Sequence, residues 1–434
     1  MRSTLIPLTL LACAGSPDPD AGAAADPDAF SDEEAARVLA LGPLPALPGD
    51  PTNAVADDPA AAWFGRALFY DPRLSGPGDV ACSTCHDPEQ GWSDGLPVSE
   101  AVGVTDRHAL SLWDTGYGRW FFWDGRCDSL WCQAAGPIEA GHEMGSSRLQ
   151  VAHAVANEPD LREGYEAVFG PLPDLSDPAR FPAEGRPVPD APDHPHAVAW
   201  ATMTAADQQA VTQVFVDVTK AIGAFERTIL TGESPVDRYV AAFEAGDAEA
   251  MDAALSPDAQ AGLRHFVTDG NCHFCHAGAL TTNREFASVG LGERSWLPID
   301  DTGRYDGIDA LRTHEFNAAS MWSDAPDGEA AGRLVRLNQS TEQLGLFKVP
   351  TLRNIAESPP YMHGGHFETL TDVVTHYALL EEEPLLGHLD DFMVPLDWDD
   401  QDIAEVVTFL EAMTAPPRDP AVFGPPDQTV RPDR

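Results

Sequence analysis

The sequence predicts a mainly α protein made of two similar units in tandem. Three observations predict this. Apolar residues recur at helical spacing over long segments, while the period-two alternation of strands is hard to find. Helix-start signals open several of those segments. A short helix leading into Cys-x-x-Cys-His occurs twice, once in each half of the chain.

The elements follow in order. The N-terminus reads as an export signal: Arg2 is the positive start and Leu5 to Ala12 the apolar stretch. Leu10-Leu11-Ala12-Cys13 resembles a lipobox, in which the Cys becomes the lipidated first residue; a plain signal peptide with a chance Cys is the alternative. Residues 1–12 are then the signal peptide, and 13–48 a lipid-anchored linker with a short helix. Within it, Ala14 to Phe30 is rich in Ala, Asp and Pro and reads as a tether. Ser31 to Glu34 is a capping box ahead of Ala35 to Leu41. Residues 49–240 form the first unit and 241–420 the second, with the junction between Gly232 and Ser256 and a tail over 421–434. Leu172 to Ala197, rich in Pro and Asp, reads as a surface loop. From Thr204 onward, Val211, Val214, Phe215, Val218, Ile222, Phe225 and Ile229 make one face of a long amphipathic helix. Ser256-Pro257 supplies an N-cap and an N1 proline. Asp400 starts a last helix with the face Ile403, Val406, Val407, Leu410 and Met413.

Composition removes several function classes. The 434 residues carry a net charge of −44, and only Lys220 and Lys348 are lysines. Such a surface repels phosphate backbones and anionic lipid, so a nucleic-acid partner is excluded and a soluble partner with a basic patch is favoured. No apolar run approaches the length of a membrane span, so any membrane contact is through the lipid anchor.

The repeated motif carries the chemistry. Cys82-Ser83-Thr84-Cys85-His86 and Cys272-His273-Phe274-Cys275-His276 are haem-attachment sequences. The thiols form thioethers to the haem vinyls and the adjacent His ligates the iron. Ala62-Trp63-Phe64-Gly65-Arg66-Ala67-Leu68-Phe69 precedes the first and Ala261-Gly262-Leu263-Arg264-His265-Phe266 the second, as expected of two tandem c-type cytochrome domains with one covalent haem each. A zinc or thiol-redox site is a poor account of two such copies in an exported chain. Cys127 and Cys132 remain. They either pair, as an oxidising compartment permits, or stay as two buried thiols.

Further residues resemble a known family. Trp120-Phe121-Phe122-Trp123-Asp124-Gly125-Arg126, then Gln133, Pro137 and Glu143-Met144, match a block of the bacterial dihaem cytochrome c peroxidase and MauG superfamily. Phe347-Lys348-Val349-Pro350-Thr351-Leu352-Arg353-Asn354 and Pro360-Tyr361-Met362-His363-Gly364-Gly365 match a second. The resemblance runs from about Phe64 to Met413. It implies that Trp123 lies between the haems and relays electrons, that Glu143 is the distal acid–base residue at the first haem, and that Gln133 helps fix the iron-bound oxygen. In the peroxidase branch a Met following the Thr-Leu-x-x-x-Val block ligates the second iron; in the MauG branch it is a Tyr. Counting along Thr369-Leu370-Thr371-Asp372-Val373-Val374-Thr375-His376-Tyr377 places Tyr377 there, with His376 and Met362 as rivals. An interhaem calcium is also implied, held by the carbonyls of Ser358 and Pro360 and by an Asn. His108 stands at the Asn position and is a poor calcium ligand, although Asp114 is near in sequence.

The resemblance leans toward MauG-like enzymes of the methanobactin-operon type, which oxidise a tryptophan on a partner protein. The expected function is a hydrogen-peroxide-dependent oxidation of a secreted protein through paired high-valent haems, in the periplasm, from an outer-membrane lipid anchor. The alternatives are a conventional dihaem cytochrome c peroxidase fed by a small redox protein, and a dihaem electron carrier without enzymatic activity. One departure stands out. The MauG enzyme that matures a quinone-bearing dehydrogenase has a Trp two residues before the second haem's first Cys, through which holes leave. Gly270 stands there in this chain, leaving Trp296, Trp322 and Trp398 as surface exits among which the sequence does not choose.

Overall fold

The computed structural model describes residues 30–427. The lipobox Cys13 and residues 428–434 lie outside them. Fifteen α-helices dominate the described residues, against one two-stranded antiparallel ribbon pairing Phe286–Ala287 with Phe347–Lys348. No helix among them is long and apolar enough to cross a membrane.

The long helix runs Ala205–Glu226, with the Thr204 side chain accepting from the Asp207 amide. Its apolar stripe from Val211 to Phe225 is buried, and Ile229, the last member, packs from the turn beyond the helix end. The helix Pro59–Phe69 crosses it closely. A Cβ on Gly65 would lie 1.8 Å from the carbonyl oxygen of Ala221, so only glycine permits this crossing. One turn on, Phe69 meets Phe225 edge-on with ring centroids 5.2 Å apart.

The second unit repeats this arrangement. The helix Pro257–Val267, capped by Ser256, crosses Asp400–Glu411. A Cβ on Gly262 would lie 2.0 Å from the carbonyl oxygen of Glu405, and Phe266 meets Phe409 at 5.1 Å. In each unit a glycine and the phenylalanine four residues later seat against a backbone carbonyl and the phenylalanine four residues after it. The repeat is thus a packing device that fixes the helix ahead of each Cys-x-x-Cys-His. Phe69, Phe225, Phe266 and Phe409 are each at most 1 % exposed, which contributes about 1.5–3 kcal/mol per side chain.

Each unit has its own core, and the chain ends cross between them. Val38, from the capping-box helix Asp32–Ala40, and its C-cap Leu41 join the second core, as do Val236, Tyr239 and Val240. Val422 joins the first, where Phe423 stacks on Trp92. The segment expected as a loop over Leu172 to Ala197 is irregular up to His194, which caps a helix Pro195–Ala201.

Candidate dihaem active site

Both Cys-x-x-Cys-His segments wind into a short helical turn that brings the His back over the first Cys. The His86 amide donates to the Cys82 carbonyl at 2.9 Å and the His276 amide to the Cys272 carbonyl at 2.8 Å. Each imidazole is then fixed through Nδ1. That of His86 donates to the Trp92 carbonyl at 3.1 Å, and that of His276 to the Thr281 carbonyl at 2.9 Å. This leaves Nε2 as the lone-pair nitrogen, the tautomer an iron ligand needs. Burial pushes both imidazoles toward the neutral form, that of His276 down to about 4.

The surroundings fit a haem at each place. An apolar cavity joins Cys272, Cys275 and His276 to Leu370, Val373, Val374 and Tyr377 and extends to Trp113, Trp120 and Trp123. Lys348 and Arg284 face it. Burial drives the Lys348 ammonium down to about 8, and the Nε of Arg284 has no partner among the described residues. Two cations of this kind on the wall suit the propionates of a porphyrin. At the first site the indole N–H of Trp92 is likewise buried without a partner.

The residues expected around the first haem come from one continuous stretch. The helix Leu130–Glu139 carries Gln133, half-buried, and runs into the turn that holds Glu143. That turn is pinned: the Gly76 amide donates to the Met144 carbonyl at 2.8 Å and the Val102 amide to the Glu143 carbonyl at 3.1 Å. Burial raises the Glu143 carboxyl, opposed by Arg126 and His142, and its charge is felt at both Cys82 and Cys85. The sequence reading did not single out Glu226. This residue, last in the Ala205–Glu226 helix, is buried beside Cys82 with Oε2 unpartnered among the described residues, and burial pushes it up to about 8.

Trp123 lines the cavity of the second site. Its indole N–H donates to the His108 carbonyl at 2.9 Å, its own carbonyl accepts from the Lys348 amide at 2.7 Å, and its ring faces His363 edge-on at 6.4 Å. Asp124 anchors the turn through Arg107 at 2.6 Å and Arg126 at 3.0 Å. Cys127 and Cys132 are joined by a disulfide. It clips the Trp123 turn to the start of the helix bearing Gln133, and His314 lies against both sulfurs at 3.9 and 3.6 Å.

Of the three residues expected to compete at the second haem, Tyr377 lines the cavity with Cys272, Cys275 and His276. Burial pushes its phenol up, as do the neighbouring Cys275 and Cys272. His376, one position earlier on the helix Leu370–Leu379, turns away and engages the Val289 carbonyl through Nε2 at 2.7 Å. Met362 also lines the cavity, at positive φ in the segment that carries His363.

The residues at the calcium position do not fit that ion. His108 commits Nδ1 to the Leu96 carbonyl at 2.7 Å and Nε2 to Ser93 Oγ at 3.2 Å. Asp114 gives Oδ1 to the Thr231 amide and Oδ2 to the Thr231 hydroxyl. Ser358 and Pro360 do border the cavity, but neither His108 nor Asp114 is free to add a side-chain ligand beside their carbonyls.

Comparison with known proteins agrees with this geometry. Residues 59–245 match the family model for di-haem cytochrome c peroxidase. The chain is 29% identical over 362 residues to the methylamine utilization protein MauG of Methylorubrum extorquens, covering 83% of this chain and 79% of that one. It is 28% identical over 313 residues to the cytochrome c551 peroxidase of Pseudomonas aeruginosa, covering 72% and 69%. Among solved structures, the fold is shared with a MauG-like protein associated with microbial copper homeostasis (TM-score 0.59, 23% identity, covering 90% of this chain and 98% of that one). It is shared equally with the diheme peroxidase BthA of Burkholderia thailandensis (TM-score 0.59, 21% identity, 88% and 93%). With paired haem-attachment turns, a carboxyl beside the first and a phenol lining the cavity of the second, the chain resembles the dihaem cytochrome c peroxidases and MauG proteins over most of its length.

Proposed function

We propose that this enzyme is MauG-like: it takes two oxidising equivalents from hydrogen peroxide and passes them to a secreted partner protein, possessing a tryptophan as the oxidised side chain. The haems, when bound, supply the redox chemistry. Glu143 is the group that moves a proton between the two peroxide oxygens. Burial raises this carboxyl above its ordinary range, which favours the protonated form it needs to return a proton. Gln133 would orient peroxide beside Glu143, and Trp123 would couple the two sites.

The observation that carries this reading is Tyr377 in the second cavity with His276. A phenolate ligand is hard and anionic, and it favours high oxidation states over a role as a simple electron acceptor. One observation favours the conventional peroxidase instead: Met362 borders the same cavity and offers a thioether. Spectroscopy of the ferric holoprotein separates them. The reading expects no far-red thioether-to-iron charge-transfer band, and a low-spin spectrum that changes in Tyr377→Phe while haem content holds. A thioether band in the wild type, or an identical spectrum in Tyr377→Phe, overturns it. Export to the periplasm and lipid attachment at Cys13 belong to the same proposal. Calcium does not.

A further inference from the structure

Ten tryptophans occur in the chain, and four of them line the large cavity: Trp113, Trp120, Trp123 and Trp398. The first three are buried; Trp398 is half-buried. Trp398 therefore has one edge on the cavity that holds Cys272 and Cys275 and another at the surface. Its place is specific. A Cβ added to Gly270 would lie 2.7 Å from Cη2 and Cζ2 of this indole, so the ring occupies the space over Gly270. A side chain at position 270 and an indole from position 398 exclude each other. Trp296 and Trp322 do not line the cavity.

The electrostatics also single it out. The Trp398 indole N–H donates to Asp269 Oδ2 at 2.7 Å. Asp269 is held in turn by the Thr268 hydroxyl at 2.8 Å and by His265 Nδ1 at 3.1 Å. His265 meets the Trp398 ring edge-on at 5.2 Å, and its Nε2 faces Asp402 at 3.3 Å and Glu405 at 3.4 Å. Burial raises the Asp269 carboxyl, but hydrogen bonds from Trp398, Thr268 and His265 outweigh it and hold the group low, hence anionic. An anion hydrogen-bonded to an indole N–H stabilises the positive charge left when the ring loses an electron. By contrast, Trp296 donates to a neutral carbonyl, that of Gly364, at 3.0 Å.

We infer that Trp398 is the exit through which electrons enter from the partner protein, and that Asp269 is a positioning residue that makes this indole the easier one to oxidise. The inference rests on the function proposed above. Electrons balance as follows. One H₂O₂ takes up two electrons and two protons and leaves as two waters. Each electron is given inward by Trp398, whose indole becomes a radical cation balanced by Asp269, and is replaced by one from the partner.

The test uses the holoprotein with hydrogen peroxide alone, without a partner. Ring-deuterated tryptophan identifies the radical by freeze-quench electron paramagnetic resonance, with haem absorbance followed in parallel. The wild type is expected to show a tryptophan radical that Trp398→Phe lacks. Asp269→Asn keeps an acceptor but removes the charge, and should lower the signal about tenfold, the ratio that matches losing one charge-assisted hydrogen bond. A wild type that responds to peroxide but shows no tryptophan radical overturns the inference, as does the same radical in Trp398→Phe or an undiminished one in Asp269→Asn. A wild type whose haem absorbance does not respond at all counts instead against the parent reading.

Discussion

The two haem sites are built on the same frame and furnished differently. Gly65 on Ala221 with Phe69 on Phe225 sets the first; Gly262 on Glu405 with Phe266 on Phe409 sets the second. Both fix their histidine by a carbonyl at Nδ1. Beyond that they diverge. The first has two raised carboxyls near its cysteines, Glu143 and Glu226. The second has a phenol, Tyr377, and two cations, Lys348 and Arg284. A duplicated scaffold thus holds one site with two raised carboxyls and another with a phenol and two cations. Apart from Glu226, at the end of the Ala205–Glu226 helix, the differing side chains lie outside the repeated helices.

The sharpest way to break this comparison is to remove the proton-moving group from the first site. In Glu143→Gln, haem content is expected to persist while peroxide turnover falls by about two to four decades. Unchanged turnover, measured by peroxide consumption, would remove Glu143 from the chemistry.

The shared frame gives the next effect. Gly65→Ala drives a methyl onto the Ala221 carbonyl, and Gly262→Ala drives one onto that of Glu405. Each is expected to cost roughly 3 kcal/mol or more, in line with severe overpacking. The losses should be local: Gly65→Ala disturbs the spectrum of the first haem and Gly262→Ala that of the second. Thermal melts followed at the two haem spectra check this, and a variant that disturbs the wrong site breaks the equivalence.

A smaller effect concerns pH. Glu226 is pushed up to about 8 by burial, above its value of roughly 4.3 in an unfolded chain. The native state therefore favours the protonated form. The stability this confers is full below about pH 4.3 and is lost as pH rises through about 8. Relative to Glu226→Gln, the wild type should lose thermal stability across that window, and melts from pH 5 to about 8.5 would show the two curves diverging. Parallel curves would mean that Glu226 does not titrate in this range. The smallest effect is the removal of calcium. With His108 and Asp114 already committed to protein partners, chelation by EGTA should leave peroxide turnover unchanged, and a fall restored by calcium would contradict that.

Much of this was legible in the sequence, and the reason is local chemistry. The two Cys-x-x-Cys-His motifs, the capping box at Ser31 and the stripe on the Ala205–Glu226 helix depend on neighbours a few residues apart. Tyr377 was put ahead of His376 and Met362 only by the family resemblance, which left both as rivals; the fold turns His376 toward the Val289 carbonyl. What was not legible depends on distant packing. Whether Cys127 and Cys132 pair depends on how close the backbone brings them. The choice of Trp398 over Trp296 and Trp322 requires knowing that residue 398 folds onto Gly270. Glu226, Lys348 and Arg284 look ordinary in sequence. They matter because each is buried, or faces the cavity, without the partner such a group usually has.

The most direct measurement is a titration of the ferric holoprotein with hydrogen peroxide, followed by absorbance and by iron electron paramagnetic resonance. The account predicts an endpoint at about one peroxide per chain, with signals of both haems responding together. A response confined to one haem, or none, would contradict it.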